Sequence, residues 1–414
     1  MKILLINKFY YYRGGAETVF FITKKILEEA GHHVVVFSMD DSRNQSSPYS
    51  EFFVSNIDFA GRDNFFAEMK KIARSFYSLE AKHKLEQLIK QEKPDIAHIH
   101  NFMHQLTPSI LKVLRDNKIP VVQTLHDYQL ICPNYHLYIE NSVCERCKQI
   151  KFFNATLHRC LKDSYLISFW ASLEFYLMRV LKLYREKIDY FISPSDFLSQ
   201  KIQSWFQDKK IPIIVVPNPF EVEKYEPNYN LGDYVLCVSR FIKEKGIETL
   251  IRAMKNNPSI KLKIAGSGPD FVRMKDIVLS ENLSNVELLG HQAQEQVLSL
   301  VKNCRFVVIP SELYENQPMV ILESMALGKP VLGSDIGGIP ELISKNKTGW
   351  LFEAGNVSDL EKELSEIYSA DTEIVEFGKA ARKYIEQTHS SEVYYHDLIQ
   401  VYDKLLGDRG AQLG

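Results

Sequence analysis

The stretch Pro310-Ser-Glu-Leu-Tyr-Glu-Asn-Gln-Pro-Met-Val-Ile-Leu-Glu-Ser-Met-Ala-Leu-Gly-Lys-Pro330 decides how the chain folds. It leaves an apolar run, Arg305 to Ile309, that reads as a buried strand, crosses a polar turn, and enters a helix expected to open near Pro318 and run through Ala326. Two glutamates, Glu315 in the turn and Glu323 about two helical turns into the helix, stand with seven residues between them. Glu323 lies on the side where the N–H groups of the helix start would face an anionic ligand. Two acceptors at that spacing can grip a polyhydroxylated molecule at two points. A helix start decorated with solvated glutamates has the same spacing, so the rest of the chain decides between the readings.

The strand–helix alternation extends in both directions. Apolar runs rich in β-branched residues fall at Lys2–Asn7, His33–Ser38, Asp95–His100, Pro120–Leu125, Asp189–Ser193 and Ile213–Pro217, then at Tyr234–Ser239, Lys261–Ala265, Val286–Leu289, Arg305–Ile309, Pro330–Gly333 and Trp350–Phe352. Helical patterns separate them, the signature of parallel sheets covered on both faces. The series restarts after a polar, proline-bearing linker, Asn218–Asn228. The expected architecture is α/β, with two Rossmann-like doubly wound domains over residues 1–220 and 229–390. Sheets of this kind bind ligands beyond the carboxyl ends of their strands, and two such crevices facing each other merge into one cleft.

Composition agrees with this. A chain of 414 residues exceeds what one hydrophobic core normally covers. Apolar residues at 45% and charged residues at 25% are those of a globular protein. A formal net charge of −2 provides no global field for nucleic acid. No stretch approaches the roughly 20 uninterrupted apolar residues that span a bilayer. The run Met1–Asn7 turns polar at Lys8 and reads as a first strand, so a cytoplasmic chain with reduced thiols is expected.

Candidate site residues cluster at strand ends. Arg240-Phe-Ile-Lys-Glu-Lys-Gly246 follows the first strand of the second domain, where Arg240 and Lys245, beside a glycine and a helix start, can converge on a diphosphate. Lys8-Phe-Tyr-Tyr-Tyr-Arg-Gly-Gly-Ala-Glu17 follows the first strand of the chain, and Gly14 and Gly15 let backbone N–H groups approach a phosphate. Thr124-Leu-His-Asp127 ends another strand. Gly266-Ser-Gly-Pro269 and Leu289-Gly-His291 end two more. No Gly-x-Gly-x2-Gly follows the first strand, which disfavours a dinucleotide oxidoreductase.

Together these stretches resemble the retaining, nucleotide-sugar-dependent glycosyltransferases of the GT-B fold known as family 4, through Glu315-x7-Glu323, Arg240-x4-Lys245-Gly246 and the Gly-Gly-x-Pro-Glu turn in Ser334–Glu341. The resemblance implies that Arg240 and Lys245 neutralise the leaving nucleoside diphosphate. It gives Glu323 the ribose hydroxyls, Glu315 the transferred sugar, and His126 a polar contact with sugar and acceptor, with Asp127 orienting the imidazole. Gly14 and Gly15 border the diphosphate, while Gly266, Gly268, Gly290 and His291 border the nucleotide. Asn316, Gln317, Pro318 and Met319 line the sugar, where the family more often has Glu-Gly-Phe-Gly, and the Asn and Gln side chains are expected to bond sugar hydroxyls. The last helix, near Ser391–Leu406, is expected to cross back onto the first domain.

By the same resemblance the chain moves a sugar from a UDP- or GDP-linked donor to a saccharide or lipid-linked acceptor, with retention, without a metal, in polysaccharide or glycolipid assembly. The rivals are a nucleotide-sugar epimerase of the same fold and a non-catalytic nucleotide-sugar or glycan-binding protein. Two features stand outside this scheme. Cys132, Cys144, Cys147 and Cys160 suit either a structural four-thiolate zinc site or four reduced thiols. The aromatic helix Tyr165–Arg185 and the stretch Phe65–Lys90 are expected to pack on the core, with peripheral contact to the inner face of a membrane as the alternative.

Overall fold

The computed structural model describes residues 1–57, 74–206 and 211–413, with side chains to 407. Among the described residues fourteen strands form three sheets. In chain order they are β1 Lys2–Ile6, β2 His33–Phe37, β3 Ile96–Ile99, β4 Val121–Thr124, β5 Tyr138–Ile139, β6 Ser142–Val143, β7 Tyr190–Ser193, β8 Ile213–Val215, β9 Val235–Val238, β10 Leu262–Ala265, β11 Val286–Gly290, β12 Val307–Ile309, β13 Val331–Ser334 and β14 Gly349–Phe352. One six-stranded parallel sheet runs β2-β1-β3-β4-β7-β8 and the other β11-β10-β9-β12-β13-β14. The antiparallel pair β5–β6 is a hairpin between β4 and β7 that the sequence reading does not foresee.

All twelve expected strands are present, and the apolar runs of the inner ones are buried on both faces. In β1, Ile3 and Leu5 join one core with Val34 and Val36 of β2, while Leu4 and Ile6 join the opposite core with Val35 and Phe37. In-register parallel pairing of Ile3 with Val34 and of Leu4 with Val35 aligns these alternating sets. The second sheet repeats the pattern, with Val235 and Cys237 on one side of β9 and Leu236 on the other.

The final helix, Ser391–Leu413, belongs by packing to the first sheet. Tyr394, Leu398, Val401, Tyr402 and Leu405 form a stripe at helical spacing and share a core with Ile3, Leu5 and Phe20. Tyr402 Oη lies 2.7 Å from His98 Nδ1, and Tyr394 Oη lies 2.9 Å from Thr23 Oγ1. Thus both buried phenols find partners, as burial of a hydroxyl requires. Of the stretch 65–90, residues 65–73 lie outside the described residues, and a helix covers Leu79–Glu92.

Candidate active site

Sheet order fixes where a ligand can enter. In the second sheet, β9 has β10 on one side and β12 on the other, so successive connections leave in opposite directions at the β9/β12 boundary. In the first sheet the equivalent boundary lies between β1 and β3. Crevices open at the carboxyl ends of such strands. One cavity of about 380 Å³ joins these ends, the size of a small-molecule site. Gly15 and His126 line it from one half, and Arg240, Lys245, Glu315 and Asn316–Met319 from the other.

Arg240 is exposed to this cavity, and among the described residues no ion pair engages it. Lys245 ends a short turn, Lys243–Lys245, and its ammonium pairs with the Glu315 carboxylate. Ser311 Oγ also donates to that carboxylate, at 2.7 Å. Gly246, next in the chain, has φ +66°, and a Cβ there would stand 1.8 Å from the Pro310 carbonyl oxygen. Only glycine lets the Arg240–Gly246 loop lie against the start of the Glu315 loop. The result is one free cation and one cation held by a carboxylate that an incoming anion can replace.

Glu323 sits on the helix Met319–Ala326, with Pro318 at its N-cap. Its carboxylate accepts from Gln294 Nε2 at 3.2 Å, and burial raises its pKa to about 7. A carboxylate desolvated to this degree with one amide donor is well suited to further hydroxyl donors. The helix start, at Met319 and Val320, and the start of the helix Gly15–Glu29 both line the cavity. They come so close that a Cβ on Gly15 would stand 3.2 Å from Met319 Cγ.

Asn316 and Gln317 depart from expectation. Asn316 Oδ1 accepts from Ser195 Oγ at 2.7 Å, and its Nδ2 donates to the Leu125 carbonyl at 3.4 Å. Gln317 Oε1 accepts from the Asn218 N–H at 2.7 Å, and its Nε2 lies 3.0 Å from His389 Nε2. Both side chains therefore bond protein groups across the fold, not an open sugar pocket. Glu341 acts alike. Its carboxylate accepts from the N–H groups of Asp196 and Phe197, at the start of the helix Asp196–Trp205. Ser195, Asn218, Glu341 and His389 form a seam whose roles the sequence reading misses. The serine before a helix was the one available signal, since Ser195 also accepts from Leu198 N–H as an N-cap.

His126 bonds another imidazole. Its Nε2 lies 2.9 Å from His100 Nδ1, with the rings stacked at 5.1 Å between centroids. Burial lowers the pKa of His126 to about 4 and holds His100 well below the ordinary value. Both rings are neutral near pH 7, so one ring nitrogen donates and the other accepts. Asp127 does not orient His126. Its carboxylate accepts from the Gln129 N–H at 2.8 Å, a local turn bond that satisfies the buried acid.

Gly266, Gly268, Gly290 and His291, at the ends of β10 and β11, lie outside the lining of this cavity, as do Gly14 and Glu323. The four cysteines all lie in the segment carrying the β5–β6 hairpin and are free thiols. Burial, with a further contribution from the neighbouring thiols, pushes Cys132 up to about 11 and Cys160 up to about 12. Among the described residues no group of three or more His, Cys, Asp or Glu side chains is arranged to hold a metal ion. Of the four thiols, Cys132 and Cys147 are buried and Cys144 and Cys160 half-buried.

Two facing doubly wound halves, with Arg240, Lys245 and Glu315 at their shared crevice, define a GT-B glycosyltransferase architecture. One family model, described as Glycosyltransferase Family 4, matches residues 13–224, about half of the chain, and a second, described as Glycosyl transferases group 1, matches residues 222–384. The chain belongs to glycosyltransferase family 4. It is 32% identical over 179 residues to an uncharacterised glycosyltransferase of Methanocaldococcus jannaschii, covering 43% of this chain and 49% of that one. It is 27% identical over 181 residues to an amylovoran biosynthesis glycosyltransferase of Erwinia amylovora, covering 41% and 44%. The matched stretches thus span about half the length of these curated relatives. Among solved structures, Anabaena HepE in complex with UDP and glucose superposes with a TM-score of 0.66 over 98% of this chain and 100% of that one, at 17% identity.

Proposed function

We propose that this chain transfers a sugar from a UDP- or GDP-linked donor to a saccharide or lipid-linked acceptor, with retention, in polysaccharide or glycolipid assembly. The observation that carries the reading is the convergence of the unpaired Arg240, the exchangeable Lys245 and two helix starts on one cavity, with His126 on the opposite wall. That is a site for two or more phosphate charges beside a hydrogen-bonding group for a neutral sugar. The complex of HepE with UDP and glucose supports the donor class, and the name of the amylovoran relative supports polysaccharide assembly.

In the proposed reaction the bond between the anomeric carbon and the donor phosphate oxygen breaks, and the acceptor oxygen bonds that carbon on the same face. The acceptor proton passes to the departing phosphate. Arg240 and Lys245 neutralise the charge that grows on that phosphate, where stabilisation lowers the barrier. On donor binding Lys245 exchanges Glu315 for the phosphate, which frees the Glu315 carboxylate for a sugar hydroxyl. Glu323 accepts from the ribose hydroxyls, and neutral His126 bonds the sugar without becoming charged.

A screen of thermal stabilisation by nucleotide sugars tests the reading, because a ligand that binds only the folded state raises the melting temperature. At a hundredfold excess over Kd the expected gain is about 2.7 kcal/mol. Stabilisation by one donor, lost in Arg240→Ala, is the expected outcome. No shift with any nucleoside diphosphate or nucleotide sugar would remove the basis of the proposal.

A further inference from the structure

Most of the large apolar side chains that the described residues leave exposed fall between Val143 and Leu181. The helix Tyr165–Val180 accounts for much of this. Its inner face buries Ser168, Ala171, Ser172, Phe175 and Met178. Its outer face presents Leu166 at 66% exposure, Phe169 at 51%, Leu177 at 39% and Val180 at 75%, spaced three, eight and three residues apart as one helical stripe. The one charged residue from Tyr165 to Met178 is Glu174, which turns inward to within 3.4 Å of His104 Nε2. A helix apolar on both faces requires cover on both.

The surrounding charge identifies the cover. Between Arg146 and Lys187 the chain has nine Lys or Arg and three Asp or Glu, against a net −2 for the whole. Lys162 and Lys182, both exposed, flank the two ends of the helix. An apolar stripe bracketed by cations matches the boundary between acyl chains and anionic headgroups. At 16 residues, about 24 Å, the helix is too short to cross a bilayer, and no described helix is long and apolar enough to do so. A symmetric dimer through this face would bring two cationic surpluses together, which repels.

We propose that the outer face of the helix Tyr165–Val180 lies in the headgroup boundary of a membrane containing anionic lipid. On its inner face Glu174 meets His104, and His104 Nε2 lies 3.0 Å from Tyr135 Oη, in the loop that follows His126 and Asp127. The surface is thereby tied to the half of the molecule that contributes His126 to the cavity. The proposal goes beyond the transfer reaction and its test uses no sugar, so either can fail without the other.

Flotation of the full chain with vesicles of phosphatidylethanolamine and phosphatidylglycerol, against vesicles of phosphatidylcholine alone, tests it. Wild type is expected to float with the anionic vesicles and to be released by high salt. Leu166→Ser/Phe169→Ser/Val180→Ser is expected to lower partitioning at least about tenfold, and Lys162→Glu/Lys182→Glu by about tenfold. All three proteins should melt alike, since the altered side chains are exposed. Wild type that stays unbound, an apolar triple variant that floats as well as wild type, or a wild-type dimer that the triple variant turns to monomer would each overturn the proposal. The last outcome would make the face a protein interface.

Discussion

Glu323 is the residue whose environment makes the sharpest prediction. Its pKa is raised to about 7 by burial, so it is partly protonated at neutral pH. Hydroxyl donors need the carboxylate. Donor affinity should therefore fall as pH drops from 8 to 6, approaching tenfold per unit below the pKa. Glu323→Gln should bind a nucleotide sugar about tenfold to a hundredfold more weakly than wild type at pH 8, the size of a hydrogen bond to a charged group. That variant should also lose the pH dependence. Calorimetric titration of both proteins at the two pH values checks this, and parallel pH profiles would contradict it. Arg240→Ala is expected to lower kcat by about a hundredfold to a thousandfold, because it removes charge stabilisation from the leaving group. It should leave stability within about 0.5 kcal/mol, because the side chain is exposed and makes no ion pair.

At this scale the sequence is legible wherever chemistry follows a strand end. His126, Arg240, Lys245 and Glu315 were readable from motif and position, and the cavity brings them together. Asn316 and Gln317 were not, because their partners are remote in the chain. Ser195 lies 121 residues from Asn316, and Asn218 and His389 lie 99 and 72 residues from Gln317. A local pattern cannot show that an amide is already bonded. His100 is illegible for the same reason, since its bond to His126 joins the ends of adjacent strands, 26 residues apart.

Among elements, the loop Arg240–Gly246 depends on one backbone conformation. Gly246→Ala adds a Cβ 1.8 Å from the Pro310 carbonyl oxygen at φ +66°. It is expected to cost about 2–4 kcal/mol and to displace Lys245 from Glu315. Chemical denaturation measures the first effect, and weakened donor binding at temperatures well below melting reports the second. A variant as stable as wild type would show that the loop can move aside.

The parallel strands are legible because burial on both faces writes an unbroken apolar run. The β5–β6 hairpin is not, because two-residue strands have no period to read. Its turn residues Glu140 and Asn141 have φ of 50° and 64°, the conformation of a tight hairpin turn, yet no Asn-Gly or Asp-Gly pair announces it. The same segment contains the four cysteines, whose spacing suits a zinc site and reduced thiols alike.

For the whole molecule, the last helix ties the end of the chain to its first sheet. Leu398, Val401, Tyr402 and Leu405 are buried there, each worth roughly 1.5–3 kcal/mol. Truncation after residue 390 removes stabilisation comparable to that of a typical domain. Such a variant is expected to lose cooperative unfolding of the first half, which hydrogen exchange over β1 and β2 would register. A truncated chain protected like wild type there would contradict this packing account.

Acid should loosen the fold as well. Burial lowers His98 to about 3 and His126 and His389 to about 4, and holds His100 well below its usual value. Between pH 6.5 and about 4 the unfolded chain binds protons that the folded chain does not, so stability rises with pH across that window. Each group contributes up to about 1.4 kcal/mol per unit. Glu323 has the opposite sign between about pH 4.5 and 7, where stability falls as pH rises, and burial raises Glu17, Asp127, Glu341 and Glu363 in the same sense, so these acids offset part of the loss from the four histidines. The melting temperature is therefore expected to drop from pH 7 to pH 5.

The central claim is that both halves of the glutamate and basic constellation hold one nucleotide-sugar donor. Calorimetric titration of a nucleotide sugar into wild type, Arg240→Ala, Glu323→Gln and the double variant tests it most directly. The account predicts saturable one-to-one binding to wild type, with each single variant weakened about tenfold or more and the double variant weaker still. Binding of equal affinity in all four proteins would contradict it.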